Sequence, residues 1–504
     1  MKKQSLCLLI FCLQFVCISN LVSKIWEVGG ISKYNYCSDV ENLVDDGDTI
    51  LIAENTYTND RQVTWRKNNL LIRGSGLKTN LVAGELIAND MSNGKGIFVI
   101  KGNNTTVENI TFSQAKVKSG NGAGIRLEGA NLIVRNCRFF TNEMGILAGG
   151  TIPNCKVLVE FCEFNNNGNS ENPGYQHNIY INYIDTLIFR FNLSLNAVAS
   201  GHEFKSRAYN NFIMYNRISN TNSVDSRNID LPNGGNAIIV GNIIEQGENS
   251  ENSNIIGYGL EGLKNPPPHN LWIANNTIIN NKTKGSFVNI ANGTDTLMLY
   301  NNVMVGAKTG GLIIGDAKFL DSLSNFINND VNSPSLKDVK NLDFTPIVGS
   351  PLIDKATTIR DKEGKLKSIA GFELNPKYEY TAPSESIEVG IKARQYGGNN
   401  KLDIGAFEYE NTNSVQRKNK DRGIDIYPNP ATDELNISIT TGVQGAMKLE
   451  LVSTEGKVIY TYTWLQSTSS KELQISTRAI PSGLYQLRLI TPIDAVTKNV
   501  VVVE

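Results

Sequence analysis

Short runs of alternating apolar and polar residues fill the middle of the chain, and the alternation itself repeats. The unit is a pair of apolar residues around a variable one, commonly followed by asparagine and more apolar residues. It occurs at Val107-Glu108-Asn109-Ile110, Val134-Arg135-Asn136-Cys137, Val159-Glu160-Phe161-Cys162 and Phe189-Arg190-Phe191. It returns at Met214-Tyr215-Asn216-Arg217, Val240-Gly241-Asn242-Ile243, Ile273-Ala274-Asn275-Asn276 and Leu299-Tyr300-Asn301-Asn302. A period of two predicts strands, because helical repeats of this length would show 3.6-residue spacing. One such coil cannot bury its own apolar side, so a core forms only by stacking neighbours. The pattern therefore predicts an all-β fold, a parallel β-helix over residues 24–330. Asparagines at one corner predict an amide ladder between coils. Cys137 and Cys162 fall in the same slot one coil apart, which favours stacked core thiols over a disulfide.

Both ends of the repeat change character. Ser38-Asp39-Val40-Glu41 fits a helix capping box, and that helix would plug the open front of the solenoid. Past residue 330 the period fades, and residues 331–410, with Ser350-Pro351-Leu352 and Asp403-Ile404-Gly405, are expected to close the far end. A polar linker over 411–423 leads to short alternating runs over 424–504, which predict a small antiparallel β-sandwich. Residues 1–23 combine a basic start, Met1-Lys2-Lys3, with an apolar run from Leu6 to Ile18 and then Ser19-Asn20. That run is too short to span a bilayer and predicts a signal peptide. No later run is long enough to cross a membrane.

Composition narrows the partners. The 48 basic residues nearly cancel the 49 acidic ones, so no global field marks a nucleic-acid binder. There is no CxxC and no Cys/His cluster with zinc spacing, so no structural metal is expected.

Two resemblances rest on particular residues. Tyr427-Pro428-Asn429-Pro430-Ala431, Glu455-Gly456-Lys457, Pro481-Ser482-Gly483-Leu484-Tyr485 and Lys498 resemble the type A sorting domain of the type IX secretion system of Bacteroidota. The resemblance implies engagement of that machinery and a secreted or outer-surface protein. Residues 45–330 resemble the pectate-lyase-like superfamily of right-handed parallel β-helix proteins. Within it, Lys205-Ser206, Asn216 and Gly241-Asn242 are similar to the chondroitinase B and alginate lyase family, whose catalytic lysine would fall on Lys205. That family's Arg-His-Gly is missing near both Arg227 and Pro232, and its calcium carboxylates are replaced by Val198 and Ser200. No cofactor is therefore expected, and calcium, though possible, is not supported by these residues.

Stacking the coils exposes candidate chemistry. In Ile179-Tyr180-Ile181, Phe204-Lys205-Ser206 and Ile229-Asp230-Leu231 the apolar residues should face inward, leaving Tyr180, Lys205 and Asp230 outward on adjacent rungs. Asn178, Glu203 and Asn228 should share that outward face. His177, His202 and Arg227 form a further column, which reaches the same patch only if the chain bends; Arg207 and Asn182 flank the row.

This set suits β-elimination on a uronic acid polymer. Arg207 or Arg227 would neutralise the substrate carboxylate, Lys205 or His202 would remove the C5 proton, and Tyr180 would protonate the leaving oxygen. His177, Arg227, Asp230, Asn182 and Glu203 would hold the substrate, an acidic polysaccharide. Hydrolysis is the second reading, with Asp230 and Glu203 as the carboxylate pair and Asp225 and Glu261 offset from it. A non-catalytic glycan binder, using Tyr258 and Trp272, is the third.

Overall fold

Three-residue alternations such as Ile179-Tyr180-Ile181 build short strands with two side chains buried and one outside. In the computed structural model such strands stack rung on rung into three parallel sheets. The structure describes residues 23–58, 60–76, 78–84, 94–331, 335–380, 392–394, 401–409, 423–440, 445–453, 457–466, 470–491 and 495–503. The expected signal peptide up to residue 22 and the expected linker up to residue 422 lie outside these. Among the described residues the sheets hold 12, 11 and 10 strands, and each complete coil contributes one strand to each. The chain divides into two compact units, Met1–Tyr409 and Glu410–Glu504.

The first unit is the parallel β-helix. Its interior is a column of like on like: Phe112, Phe139 and Phe164 stack at 5.2 and 4.8 Å with nearly parallel rings. At one corner Asn192, Asn216, Asn242, Asn276, Asn302 and Asn325 form the amide ladder. The sequence reading placed Asn216 and Asn242 in the ladder correctly, and elsewhere its corner position falls one residue early. The residue before each rung of the ladder holds the left-handed conformation, as Phe191, Tyr215, Asn275 and Asn301 do, each with φ near 57°. The recurring asparagine at 109, 136, 275 and 301 is thus the turn residue, Asn136 also donating to Asn109 Oδ1 of the coil before at 2.8 Å, and the ladder slot follows it. Asparagine serves both slots, in one by tolerating positive φ and in the other by bonding the coils above and below, so the two merge in the sequence. Cys137 and Cys162 continue the ladder slot as buried free thiols.

The front helix is a single turn, Cys37–Val40, preceded by Tyr36. Asp39 accepts the amides of Asn35 and Tyr36 at 2.9 Å, and Cys37 and Val40 join the core. The segment expected to close the far end instead runs along the flanks. Ile359 and Leu374 pack on Phe212, Tyr215 and Trp272 of one sheet. Leu352, Tyr380 and Ile404 pack on Ile243, Ile279 and Val305 of another. Both faces are apolar outside as well as inside, and an apolar outer face needs cover. The third sheet, which includes Ala123–Leu127, Met144–Ala148, Ile179–Ile181, Phe204–Ser206 and Ile229–Leu231, carries polar groups outside.

The second unit is an antiparallel β-sandwich of one three-stranded and one four-stranded sheet. Leu435, Ile437, Leu449, Leu451, Leu487 and Leu489 fill its core.

Candidate functional site

The polar row lies on the 10-stranded sheet. Register pairs Arg126 with Leu147, Leu147 with Tyr180, Tyr180 with Lys205, and Lys205 with Asp230. Tyr180, Lys205 and Asp230 therefore stand on adjacent rungs of one face, as the alternation predicted, with Ile179, Phe204 and Ile229 buried beneath.

Asp230 is the hub. Its Oδ2 lies 3.3 Å from Lys205 Nζ and 3.5 Å from His202 Nε2, and its Oδ1 lies 3.3 Å from Arg227 Nη1. Only 2% of Asp230 is exposed, so three cationic or donor groups offset the cost of burying its charge. Arg227 is held from the other side by Asn254 Oδ1 at 2.8 Å.

The chain bends between the histidine column and the strand, so His177 and His202 turn onto this patch. Backbone amides fix their protonation. Arg227 N–H donates to His202 Nδ1, and His202 N–H donates to His177 Nδ1, each at 3.0 Å. A ring nitrogen that accepts an amide carries no proton, so both neutral rings are Nε2–H tautomers. Burial holds both pKa values well below the usual imidazole value, His202 further lowered by Lys205 and Arg227 and His177 by His202 and Lys205. The rings stack at 5.0 Å, and His177 meets Tyr180 edge-on at 5.6 Å.

The carboxylate read as offset, Glu261, joins the patch from a turn bounded by Gly259 and Gly262 at positive φ. Its Oε1 lies 3.1 Å from Lys205 Nζ and its Oε2 2.7 Å from Arg207 Nη2. Burial alone would push this carboxyl up, but the bonds from Arg207 and Lys205 outweigh it and hold it below the usual range. Arg207 also donates through Nε to Tyr180 Oη at 3.0 Å and through Nη1 to Asn233 Oδ1 at 2.9 Å. The sequence offered Glu261 only as an offset carboxylate, because only the loop fold brings it back beside Lys205 and Arg207.

One expected face is corrected. Asn178, Glu203 and Asn228 are buried, not outward. They sit where the chain turns a corner, and Asn178 continues a second ladder from Asn142 and Asn167. Glu203 ends that ladder, accepting Asn178 Nδ2 at 2.5 Å and Ala197 N–H at 2.7 Å. Burial, with Asp225 behind it, pushes its carboxyl well up. Glu203 is therefore a sealed structural acid and touches no substrate, which also removes the Asp230–Glu203 hydrolytic pair. Tyr258 is buried too, its hydroxyl donating to Gly235 O, and Trp272 lies under the flanking segment. Neither is an exposed sugar platform. Asn182 stands at the edge of the patch, donating to Gly149 O at 3.0 Å. Among the described residues no group of three or more His, Cys, Asp or Glu is arranged to hold a metal ion.

No curated protein matches the chain. Among solved structures, ORF18 of Geobacillus virus E2 is similar at 13% identity and a TM-score of 0.35, over 60% of this chain and 58% of that one. This chain thus spans a little over half the length of the viral protein. The pectin methylesterase of Aspergillus niger is similar at 11% identity and a TM-score of 0.27, over 60% and 85% of the two chains. Pectin methylesterase PemA of Erwinia chrysanthemi is similar at 10% and 0.27, over 60% and 89%. Among the described residues no helix is long and apolar enough to cross a membrane. Residues 425–503 match the secretion system C-terminal sorting domain, so the chain is a parallel β-helix joined to a type IX sorting domain and is destined for secretion or the outer cell surface.

Proposed function

We propose that the β-helix binds an acidic polysaccharide through the Lys205–Arg207 fork and cleaves it by β-elimination. One observation carries this reading: the fork already holds a carboxylate, that of Glu261, across Nζ and Nη2. A uronate carboxylate has the same shape and charge, and a planar guanidinium favours it. Substrate would displace Glu261 on its glycine-bounded turn. The fork would then neutralise the charge that develops next to C5 as its proton leaves.

Lys205 Nζ is engaged by both Asp230 and Glu261, so it serves as a cation of the fork and not as the base. His202 has both nitrogens engaged and positions Asp230. Tyr180 remains the group for proton transfer, because Arg207 bonds its oxygen and its hydroxyl lies beside the fork. Its hydroxyl proton passes to solvent, and its oxygen then takes the C5 proton. The C5 electron pair forms the new double bond to C4 as the C4–oxygen bond breaks, and the phenol returns the proton to the departing oxygen.

The test is a panel of uronate and neutral polysaccharides followed in the ultraviolet. Absorbance from an unsaturated uronide is expected on an acidic member, with Tyr180→Phe slower by about a hundredfold or more. New reducing ends without a double bond would overturn the elimination. They would favour the second reading, hydrolysis by Asp230 and Glu261, the two carboxylates that meet at Lys205.

A further inference from the structure

On the same face, toward the front of the solenoid, lies a cavity of about 370 Å³ whose walls include Arg126, Met144, Leu147, Tyr175 and Tyr180. Arg126 belongs to the outward row, two rungs before Tyr180, and so roughly 10 Å from it at the spacing of parallel strands. The guanidinium is mostly buried, with 16% of the side chain exposed, yet its Nε has no hydrogen-bond partner. The nearest carboxylate, Glu128, is 3.9 Å away and is shared with Lys95 and with Lys101 at 3.5 Å. Three cations thus divide one anion, although the whole chain carries a formal net charge of −1. A desolvated guanidinium short of partners recruits an anion that can accept its fork. Beside the charge, the cavity offers Leu147, Met144 and the ring of Tyr175, which is 78% exposed. A carboxylate alone needs no such wall; a carboxylated sugar ring does, since its apolar face can lie on an aromatic one.

We propose that the Arg126 cavity is a second subsite, which holds a carboxylated sugar unit of the polymer whose reacting unit lies at Lys205 and Arg207. The inference rests on the acidic-glycan reading above and adds a direction: the chain runs along the helix axis toward the front of the solenoid. Gly149 belongs to the subsite by omission. A Cβ there would come within 2.2 Å of Arg126 Nη2, so any side chain would push the guanidinium off its seat while leaving the strands alone.

The test is calorimetry on the full chain with oligouronides from dimer to hexamer, beside neutral oligosaccharides of equal length. Affinity for the acidic series is expected to rise about tenfold once the oligomer reaches both subsites. Arg126→Gln and Gly149→Ala should each abolish that rise and leave dimer affinity unchanged, with the thermal midpoint as the folding control. Where turnover occurs, they should raise KM on long substrates and spare kcat. A rise that persists in both variants, or that neutral oligomers share, overturns the subsite. An Arg126-dependent rise without any unsaturated product supports the subsite and rejects the elimination, so the two proposals fail separately.

Discussion

Glu261 and Arg207, 54 residues apart in the chain, meet at 2.7 Å through Oε2 and Nη2. Glu261 is 43% exposed at its side chain, against 16% for Arg207. The anion is thus the removable half of the pair and the cation the fixed half. Glu261→Gln should weaken this internal competitor and raise affinity for an acidic oligosaccharide, by about tenfold at most given the worth of such exposed pairs. Titration calorimetry measures it. Unchanged affinity with lost turnover would make Glu261 a catalytic acid instead.

The two buried histidines bear on stability. Their folded pKa values are held well below the ordinary imidazole value. As pH falls through about 6.5 the unfolded chain takes up protons that the folded chain refuses, so stability present above that pH is lost below it. His202→Gln keeps an acceptor for Arg227 N–H and removes one titration. Thermal midpoints between about pH 7 and 5 should then decline less steeply than in the wild type; an unchanged slope would contradict the assignment.

The acids behind the site act in the opposite direction. Burial lifts the Asp225 carboxyl to about 7, and Glu203 is raised by burial and by Asp225. The folded chain keeps protons that the unfolded one has released. Their stabilising contribution is therefore full below about pH 4 and fades as pH rises through 7. Asp225→Asn should raise the unfolding midpoint at pH 8 and leave it nearly unchanged at pH 4. A loss at both pH values would show that the carboxylate is needed as an anion.

The ladder has a cost that can be measured. Asn242 accepts Asn216 N–H at 2.8 Å and donates to Ile213 O at 2.8 Å and Asn276 Oδ1 at 2.9 Å, all buried. Asn242→Ala leaves these groups without partners and should cost about 3 kcal/mol in urea unfolding. A loss under about 1 kcal/mol would mean that water or neighbouring rungs replace the bonds.

Legibility followed the physics of each level. Tyr180, Lys205 and Asp230 were readable because a strand alternates and parallel rungs stack like on like. Glu203 was misread because alternation stops at the corner, where an inward ladder takes over. His177 and His202 reached the patch through the same bend, which the sequence left open. Glu261 was read only as an offset carboxylate because its place beside the fork depends on the fold of a loop. The flank-covering role of Ile359, Leu374 and Leu352 was hidden too, since a strand apolar on both faces does not say what covers its outside.

A structure of the chain with a bound oligouronide tests the central claim most directly. A sugar carboxylate is expected between Lys205 Nζ and Arg207 Nη2, with Glu261 swung away and the Tyr180 hydroxyl next to C5. A sugar bound elsewhere, with Glu261 still bridging the two cations, would contradict it.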